Sequence, residues 1–300
     1  MPTSRILSTV ASALMLAAPA FAQAPTSPPV GASVTLDAVR AHGQLSCGVY
    51  GTVAGFSLAN SKGEMIGLDA DMCRAVGAAV LGDAAKVRFV PLSGVQRFTA
   101  LQSGEIDMLV RETTWTTTRE SSLGLMFAGI NFYDGTGFVV KAASGVKATS
   151  DLAGATICVA PGTSTELAVS DYFGQRSIKF TPVLIDDLNT IQQTFLSGRC
   201  DAYSTDRSNL ASFRAQQRTP SDFLLLREII SKEPLGPAVR KGDDKWFDVV
   251  RWTLFAQVAA EELGVTSKNV DEMAGSKNPE VRRLLGLEGD VGRTLGLDNR

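Results

Sequence analysis

Residues 95–111 read VQRFTALQSGEIDMLVR, and this stretch contains the two patterns on which the fold depends. Its first ten residues have helical apolar spacing and end in a glycine, and residues 106–111 form an apolar run typical of a buried strand. Upstream, strands are predicted at residues 45–50 and 87–92, with a helix between them at 67–82. This order of strand, helix, strand, helix, strand predicts a parallel sheet with helices on its faces.

The same order begins again after residue 141. Strands and helices alternate there, at residues 155–160, 163–173, 178–185, 186–198 and 200–205. Both halves also place a Ser-Gly pair between a helix and the next strand, in QSGEIDMLV and in LSGRCDAYS. Two α/β units in one chain predict a cleft between them, and ligands of such sheets bind beyond the carboxyl ends of the strands.

Composition excludes several classes of protein. The chain has 300 residues, of which 44% are apolar and 20% charged, so it is not predominantly disordered. Lys and Arg number 29 against 31 Asp and Glu, which argues against a sequence-independent nucleic-acid binder. His42 is the only histidine, which argues against a His-rich metal site or a Ser-His-Asp triad. We expect neither a cofactor nor a metal.

The amino terminus has the pattern of a secretory signal peptide. Arg5 precedes an apolar run at residues 6–20, and Ala20-Phe21-Ala22 forms a small-residue cleavage site. The run is shorter than the roughly 20 residues that a membrane span needs, so an anchor is the weaker alternative. We therefore predict a signal peptide at 1–22, cleaved after Ala22, a linker at 23–35 and export to a bacterial periplasm.

Export would place the four cysteines in an oxidising compartment. Three pairings are possible in principle, and separate folding of the two halves leaves Cys47 with Cys73 and Cys158 with Cys200. Zinc binding and four buried free thiols remain as alternatives.

Two loops that follow strands can hold a carboxylate. Residues 111–120, RETTWTTTRE, combine five threonines with Arg119, which can offer a bidentate fork. In residues 161–166, PGTSTE, Thr163 and Ser164 begin a helix whose free N–H groups can bind an anion. The alternatives are a Thr-rich cap with a surface arginine and a simple helix cap.

Asp206 follows the strand at 200–205 and begins the next helix. It could act as a cap, or it could accept hydrogen bonds from an ammonium group. A carboxylate clamp together with an acidic ammonium acceptor describes a site for an α-amino acid.

These residues lie in segments that together resemble a known family, the periplasmic amino-acid-binding proteins of ABC importers (solute-binding protein family 3, general L-amino-acid-binding branch). The segments, in order between residues 36 and 252, are LDAVRAHGQLSCGV, GLDADMCRAVGAAVLGD, QRFTALQSGEIDMLVRETTWTTTRE, FAGINFYDGTGFVV, DLAGATICVAPGTSTE, SGRCDAYSTDRSNL and PLGPAVRKGDDKWFDVVRW. The resemblance implies a two-lobed α/β fold of type II. Each lobe would be a mostly parallel sheet flanked by helices, with the ligand cleft between the lobes. Lobe 1 would comprise 36–138 and 235–300, and lobe 2 would comprise 139–234.

The resemblance also implies a role for each site residue. Arg119, aided by Thr114, would grip the ligand α-carboxylate, and Asp206 would take the α-ammonium. Thr163 and Ser164 would meet the same carboxylate from the second lobe.

The resemblance places three further positions near this site. Arg97 corresponds to a pocket arginine of some binders of acidic ligands, and its alternative is a surface helix residue. Glu112 replaces a small polar residue, and it could strengthen ammonium binding, pair with Arg97 or intrude on the pocket. Val53 replaces an aromatic residue, so Tyr50 or Phe56 is expected to cover the ligand.

The function implied is capture of an L-amino acid for an inner-membrane ABC permease and its ATPase, by a monomer that is not an enzyme. Two alternatives remain at this point. One is a periplasmic dehydratase of the prephenate or arogenate type on the same fold. The other is a truncated paralogue that does not transport, because the chain ends sooner than others of this branch.

Overall fold

The computed structural model describes residues 32–298. The predicted signal peptide and most of the predicted linker, which precede residue 32, lie outside the described residues. The strands are β1 (Leu45–Val49), β2 (Thr52–Val53), β3 (Ser57–Ala59), β4 (Met65–Ile66), β5 (Val87–Pro91), β6 (Met108–Leu109), β7 (Leu125–Phe127), β8 (Phe132–Asp134), β9 (Thr136–Lys141), β10 (Thr156–Val159), β11 (Thr181–Leu184), β12 (Ala202–Asp206), β13 (Phe223–Leu225), β14 (Glu233–Leu235) and β15 (Ala238–Arg240).

The helices are α1 (Val34–His42), α2 (Leu68–Leu81), α3 (Gln96–Ser103), α4 (Thr117–Ser121), α5 (Ser164–Gln175), α6 (Leu188–Leu196), α7 (Arg207–Ala215), α8 (Asp244–Glu262), α9 (Val270–Met273), α10 (Pro279–Leu284) and α11 (Val291–Thr294). Short 3-10 helices cover Ala142–Ser144, Thr149–Leu152 and Pro220–Asp222. No helix between residues 32 and 298 is both long and apolar enough to cross a membrane.

Two five-stranded sheets organise the described chain. The first has the order β5-β1-β6-β15-β7, and the second has the order β11-β10-β12-β9-β13. We call the parts built on these sheets lobe 1 and lobe 2. In each sheet four strands run one way and one strand, β15 or β9, runs the opposite way. The predicted α/β fold with mostly parallel sheets is therefore confirmed.

The parallel centre of each sheet contains a buried cysteine. Cys47 in β1 lies opposite Phe89 and Met108 on the neighbouring strands. Cys158 in β10 lies opposite Val183 and Tyr203. The parallel strands of one sheet end at the same edge. The loops after β1 and β6 therefore lie together at the edge of the first sheet, and the loops after β10 and β12 lie together at the edge of the second.

The chain crosses between the two sheets along two paired strands. β8 leads from lobe 1 into lobe 2, and β14 leads back. The two strands are antiparallel, with Asp134 opposite Glu233 and Phe132 opposite Leu235. Next to this crossing, a Cβ atom on Gly236 would lie 1.9 Å from the carbonyl oxygen of Gly129, so this backbone approach requires glycine.

In lobe 1, α2 packs against the sheet and against α8, and buried residues of the two helices and the sheet share one apolar cluster. The buried face of α2 includes Met72, Cys73, Val76 and Val80, at the helical spacing that the sequence predicted. Trp246 of α8 is fully buried in the same cluster. Such apolar side chains contribute roughly 1.5–3 kcal/mol each on burial.

The carboxyl-terminal part of the described chain lies on lobe 1. Leu295 and Leu297 pack against the lobe 1 core, and Arg40 of α1 donates a hydrogen bond to the carbonyl oxygen of Gly296 at 2.6 Å. On α8, Trp252 and Phe255 stay about half exposed, at 51% and 44%.

Both predicted disulfides are present. Cys47–Cys73 ties β1 to α2 with a Cα–Cα distance of 6.1 Å. Cys158–Cys200 ties β10 to the residue two before β12, with a Cα–Cα distance of 5.7 Å. Each loop closure stabilises the fold by roughly 3–4 kcal/mol through the entropy of the unfolded chain. These bonds contradict the alternatives of a zinc site and of free thiols.

Candidate functional site

One cavity lies between the carboxyl ends of the two sheets, and its volume is about 30 Å³. Side chains from both lobes line it. All eight residues that the sequence singled out for ligand binding are among them: Tyr50, Arg97, Glu112, Thr114, Arg119, Thr163, Ser164 and Asp206. Phe56, the other candidate for an aromatic cover, is buried outside the cavity in the lobe 2 core.

Strand ends explain this convergence. Tyr50 directly follows β1, and residues 111–114 follow β6. Thr163 and Ser164 follow β10 after a short turn, and Asp206 is the last residue of β12. The two sheets therefore present their loops to the same space from opposite sides.

Arg119 is a buried cation in this cavity, with 6% of the residue exposed. It lies in α4, where the side chain of the N-cap residue Thr116 accepts from its backbone N–H at 3.2 Å. Its guanidinium donates to the carbonyl oxygen of Thr114 at 2.7 Å. Burial lowers the pKa of Arg119 to about 10, and nearby Glu233 and Asp206 oppose that change. The group therefore stays charged at neutral pH, and the alternative of a surface arginine is wrong.

Thr114 is a hydrogen-bond junction between the lobes. Its hydroxyl donates to Oε2 of Glu233 at 2.6 Å. It also lies 3.1 Å from the hydroxyl of Ser164, the first residue of α5. Glu233 belongs to β14, so Thr114 links lobe 1 both to lobe 2 and to the crossing strands.

Thr163 caps α5 with its side chain. The hydroxyl donates to the carbonyl oxygen of Ala160 at 2.8 Å and accepts from the backbone N–H of Glu166 at 3.1 Å. The Glu166 carboxylate accepts from the N–H of Gly162 at 2.7 Å. Because the Thr163 hydroxyl is already engaged, an anion at this helix end would meet backbone N–H groups and the hydroxyl of Ser164.

Asp206 is a buried acid whose side chain makes no capping hydrogen bond to α7. Its Oδ1 has no hydrogen-bond partner among the described residues. Burial, Glu233 and Asp134 raise the pKa of Asp206 to about 8, while Arg97 and Arg119 act in the opposite direction. A cation placed beside Oδ1 would satisfy this oxygen and favour its charged form.

Arg97 also lies in the cavity wall, on α3, and is 3% exposed. Its Nε has no hydrogen-bond partner among residues 32–298, and its guanidinium lies 4.6 Å from the ring centre of Phe98. Burial and the charges of Arg111 and Arg119 lower the pKa of Arg97 well below its ordinary value. The alternative of a surface helix residue is wrong for this position too.

Arg111 lines the same cavity, and sequence reasoning missed it. Its Nε donates to the carbonyl oxygen of Leu92 at 2.7 Å, and its guanidinium stacks 3.6 Å from the centre of the Tyr50 ring. Its place at the end of the predicted strand, beside Glu112, was the available signal, because strand ends supply the site. Tyr50 is thus held in the cavity wall by this cation–π contact.

Glu112 has an unusual backbone and an unsatisfied side chain. Its φ is 39°, in the left-handed region that favours glycine. The Glu112 N–H donates to Oδ2 of Asp69 at 3.0 Å, which holds this conformation. Both carboxylate oxygens are buried without a partner in the described chain. Burial and then Asp69 and Asp206 raise the pKa of Glu112 well above its ordinary range.

Charged side chains of both signs line the cavity without forming ion pairs with one another. It is lined by three arginines and two acids, yet the ion pairs recorded between residues 32 and 298 are all elsewhere. Opposite charges in one buried space without direct pairing suit a zwitterion that contacts both. Within the same residues, no group of three His, Cys, Asp or Glu side chains could hold a metal ion.

Comparison with known proteins identifies the class. The model of the bacterial extracellular solute-binding proteins, family 3, matches residues 45–269, and the chain belongs to this family.

Individual relatives are also similar. The chain is 53% identical over 266 residues to the glutamate/glutamine/aspartate/asparagine-binding protein BztA of Rhodobacter capsulatus, covering 88% of this chain and 79% of BztA. It is 46% identical over 298 residues to the general L-amino acid-binding periplasmic protein AapJ of Rhizobium johnstonii, covering 99% and 85%. A solved periplasmic binding protein from Brucella ovis, with glutathione bound, superposes with a TM-score of 0.84 at 50% identity, covering 88% and 84%.

Proposed function

We propose that this protein is the substrate-binding component of an ABC amino-acid importer, which captures an L-amino acid between its lobes. The observation that carries the proposal is that Arg119 and Asp206 come from different lobes and line one cavity without pairing. The ligand α-carboxylate would lie against Arg119 and Thr114, with Ser164 and the first N–H groups of α5 on its other side. The α-ammonium would lie against Oδ1 of Asp206.

Contacts across the cleft support a closed, ligand-binding state. Besides the Thr114–Ser164 contact, the N–H of Val95 donates to Oδ1 of Asp186 at 3.2 Å. The N–H of Ala54 donates to the hydroxyl of Ser212 at 3.1 Å. Opening would break these bonds and bend the chain at β8 and β14. We propose a division into lobe 1 at 36–138 and 235–300 and lobe 2 at 139–234.

The relatives support binding rather than catalysis, because their names describe binding proteins. We propose that the ligand leaves the protein unchanged. Incubation with prephenate or arogenate followed by chromatography tests this, since turnover would instead favour the dehydratase alternative.

The transport role implies further partners. We propose that the protein acts as a monomer in the periplasm, after cleavage behind Ala22, and delivers its ligand to an inner-membrane permease with its ATPase. Amino-terminal sequencing of the exported protein should begin at Gln23. Light scattering should give the mass of one chain.

Isothermal titration calorimetry tests the function directly. The exported protein, stripped of ligand by unfolding and refolding, is titrated with the twenty proteinogenic amino acids and with glutathione, the ligand of the Brucella ovis structure. We expect one site and binding of at least one L-amino acid, with its D-enantiomer as the matched control. If no amino acid binds, the proposal is wrong.

A further inference from the structure

Glu233 is a buried acid to which the proposed function gives no role. It lies on β14, the strand by which the chain returns from lobe 2 to lobe 1, and only 2% of the residue is exposed. Its carboxylate accepts hydrogen bonds from three hydroxyl groups. A carboxylate is costly to bury without such donors, so the three hydroxyls account for its place inside the protein.

The two oxygens of this carboxylate take their donors from different lobes. Oε2 accepts from the hydroxyl of Thr114, in the loop after β6, at 2.6 Å. Oε1 accepts from the hydroxyl of Thr136, on β9 of the second sheet, at 3.3 Å, and from the hydroxyl of Ser231. The oxygen of Ser231 in turn accepts from the N–H of Thr136 at 3.1 Å, which attaches Ser231 to lobe 2. One oxygen of Glu233 is thus bonded to lobe 1, and the other is bonded to lobe 2.

The backbone on either side of Glu233 is divided in the same way. Before it, the N–H of Ile230 donates to the carbonyl oxygen of Thr136 in the second sheet at 2.9 Å. After it, the carbonyl oxygen of Pro234 accepts from the N–H of Trp115, in the lobe 1 loop, at 2.8 Å. A bend of the return strand that separates the lobes therefore falls between these two attachments, where Glu233 lies.

We propose that Glu233 is a positioning residue whose carboxylate bridges the bend and stabilises the closed lobes, by holding Thr114 on one side and Thr136 on the other. This inference rests on the proposed function, in which the closed lobes hold an amino acid between Arg119 and Asp206. Both oxygens belong to one carboxylate group, so a bend between the two attachments moves its donors apart. Opening then breaks at least one hydrogen bond to a charged acceptor.

The Glu233 bridge also orders the contacts beside the proposed carboxylate site. A hydroxyl has one proton, and the proton of Thr114 is directed to Glu233. In the 3.1 Å contact between Thr114 and Ser164, Ser164 is therefore the donor and Thr114 the acceptor. The carbonyl oxygen of Thr114 accepts from the guanidinium of Arg119 at 2.7 Å. Glu233 thus acts on the site through Thr114, which it fixes beside Arg119.

Single-molecule energy transfer between dyes on the two lobes tests the Glu233 bridge. The dyes are attached to non-natural residues that replace Thr99 on α3 and Asn189 on α6, which are both exposed. The lifetime of the closed state is measured in the exported protein stripped of ligand, and again in an equimolar mixture of the twenty proteinogenic amino acids. Glu233→Met keeps the length of the side chain and removes both oxygens. We expect it to shorten the closed lifetime at least about tenfold.

Two comparisons separate the bridge from a general loss of packing. Glu228→Met is the matched control, because the Glu228 carboxylate accepts from the N–H of Thr149 within lobe 2, and it should leave the closed lifetime unchanged. Thr136→Val removes the lobe 2 donor and should shorten the closed lifetime about threefold. In the Glu233→Met background, Thr136→Val should have no further effect, because the acceptor is already absent.

Glu233→Gln keeps one acceptor oxygen and should give a closed lifetime between those of wild type and Glu233→Met. If Glu233→Met does not fold, Glu233→Gln and Thr136→Val make the same test. A closed lifetime within about threefold of wild type in Glu233→Met, or equal shortening in Glu228→Met, would overturn the bridge.

The two conditions separate this inference from the proposed function. If the amino-acid mixture does not lengthen the closed lifetime of wild type, the proposed function is wrong, while the stripped protein still tests the bridge. If the wild-type protein closes in the mixture and Glu233→Met stays closed as long, the bridge alone is wrong. A wild-type protein that closes in neither condition would overturn both.

Discussion

The hydroxyl of Thr114 in lobe 1 lies 3.1 Å from the hydroxyl of Ser164 in lobe 2. The same hydroxyl donates to Glu233 on the crossing strand β14, and the carbonyl of Thr114 accepts from the guanidinium of Arg119. One residue thus connects the proposed carboxylate site, the opposite lobe and the crossing strands. A ligand held by Arg119 would lie beside this contact between the lobes, so binding and closure would stabilise each other.

Removal of the Arg119 side chain tests the carboxylate site. Arg119→Ala should weaken amino-acid binding by about 2–3 kcal/mol, or roughly 30- to 150-fold, because a buried ligand carboxylate would lose its charged partner. Calorimetry with the preferred amino acid measures this loss. Arg214→Ala, on the exposed face of α7, is the control and should bind normally. Binding of Arg119→Ala within threefold of wild type would refute the assignment.

The disulfides can be tested in the exported protein. Alkylation without reductant should leave the intact mass unchanged, and a peptide map should link Cys47 to Cys73 and Cys158 to Cys200. Replacing either pair by serine should lower the free energy of unfolding by roughly 3–4 kcal/mol, measured by urea denaturation. Four alkylated thiols in periplasmic material would contradict the structure.

The buried acids predict how stability depends on pH. The pKa values of Asp206 and Asp69 are raised from 3.8 to about 8 and about 6. At a pH between 3.8 and these values, the two carboxyl groups hold protons in the folded protein that they have lost in the unfolded chain. The free energy of unfolding of the ligand-free protein should therefore fall as the pH rises from about 4 to about 8.

Substitution of Asp206 isolates its share of this effect. Asp206→Asn should flatten the decline, most clearly between pH 6 and pH 8, in urea denaturation series at successive pH values. The matched control is Asp248→Asn at an exposed position of α8. Equal slopes for the two variants would show that Asp206 does not hold the proton.

The glycine beside the crossing strands should be intolerant of substitution. Gly236→Ala would place a Cβ 1.9 Å from the Gly129 carbonyl oxygen, which neither backbone can accommodate without moving. We expect a loss of more than about 2 kcal/mol in the free energy of unfolding. Gly174→Ala in α5 is the control, since a Cβ there has open space and should add about 0.5–1 kcal/mol. A Gly236→Ala protein as stable as wild type would contradict this packing.

The spacing of apolar residues predicted the fold well, because the buried side chains of a helix or strand recur at the period of that element. The apolar positions of α2 recur at the helical spacing, and its glycine-bounded ends match the predicted helix to within one residue. The parallel centre of each sheet followed from the alternation of strands and helices. β15 and β9, which run opposite to it, have no such signal, because their place depends on where the chain crosses between the sheets.

The site was only partly predictable. Strand-end loops pointed to Arg119, Thr163, Ser164 and Asp206, because the carboxyl ends of parallel strands meet at one edge. Arg97, on α3, was singled out only by the family resemblance. Glu233, the acceptor for Thr114, lies 119 positions further along the chain, and no local pattern connects the two. The burial of Glu112 depends on its positive φ and on the Asp69 carboxylate that accepts its N–H, both of which are tertiary features.

A crystal structure of the protein with its preferred L-amino acid tests the central claim most directly. We predict a single ligand in the interlobe cavity, with its α-carboxylate within hydrogen-bond distance of the Arg119 guanidinium and its α-ammonium within hydrogen-bond distance of the Asp206 carboxylate. A ligand bound outside this cavity, or bound inside it without contact to Arg119 and Asp206, would contradict the account.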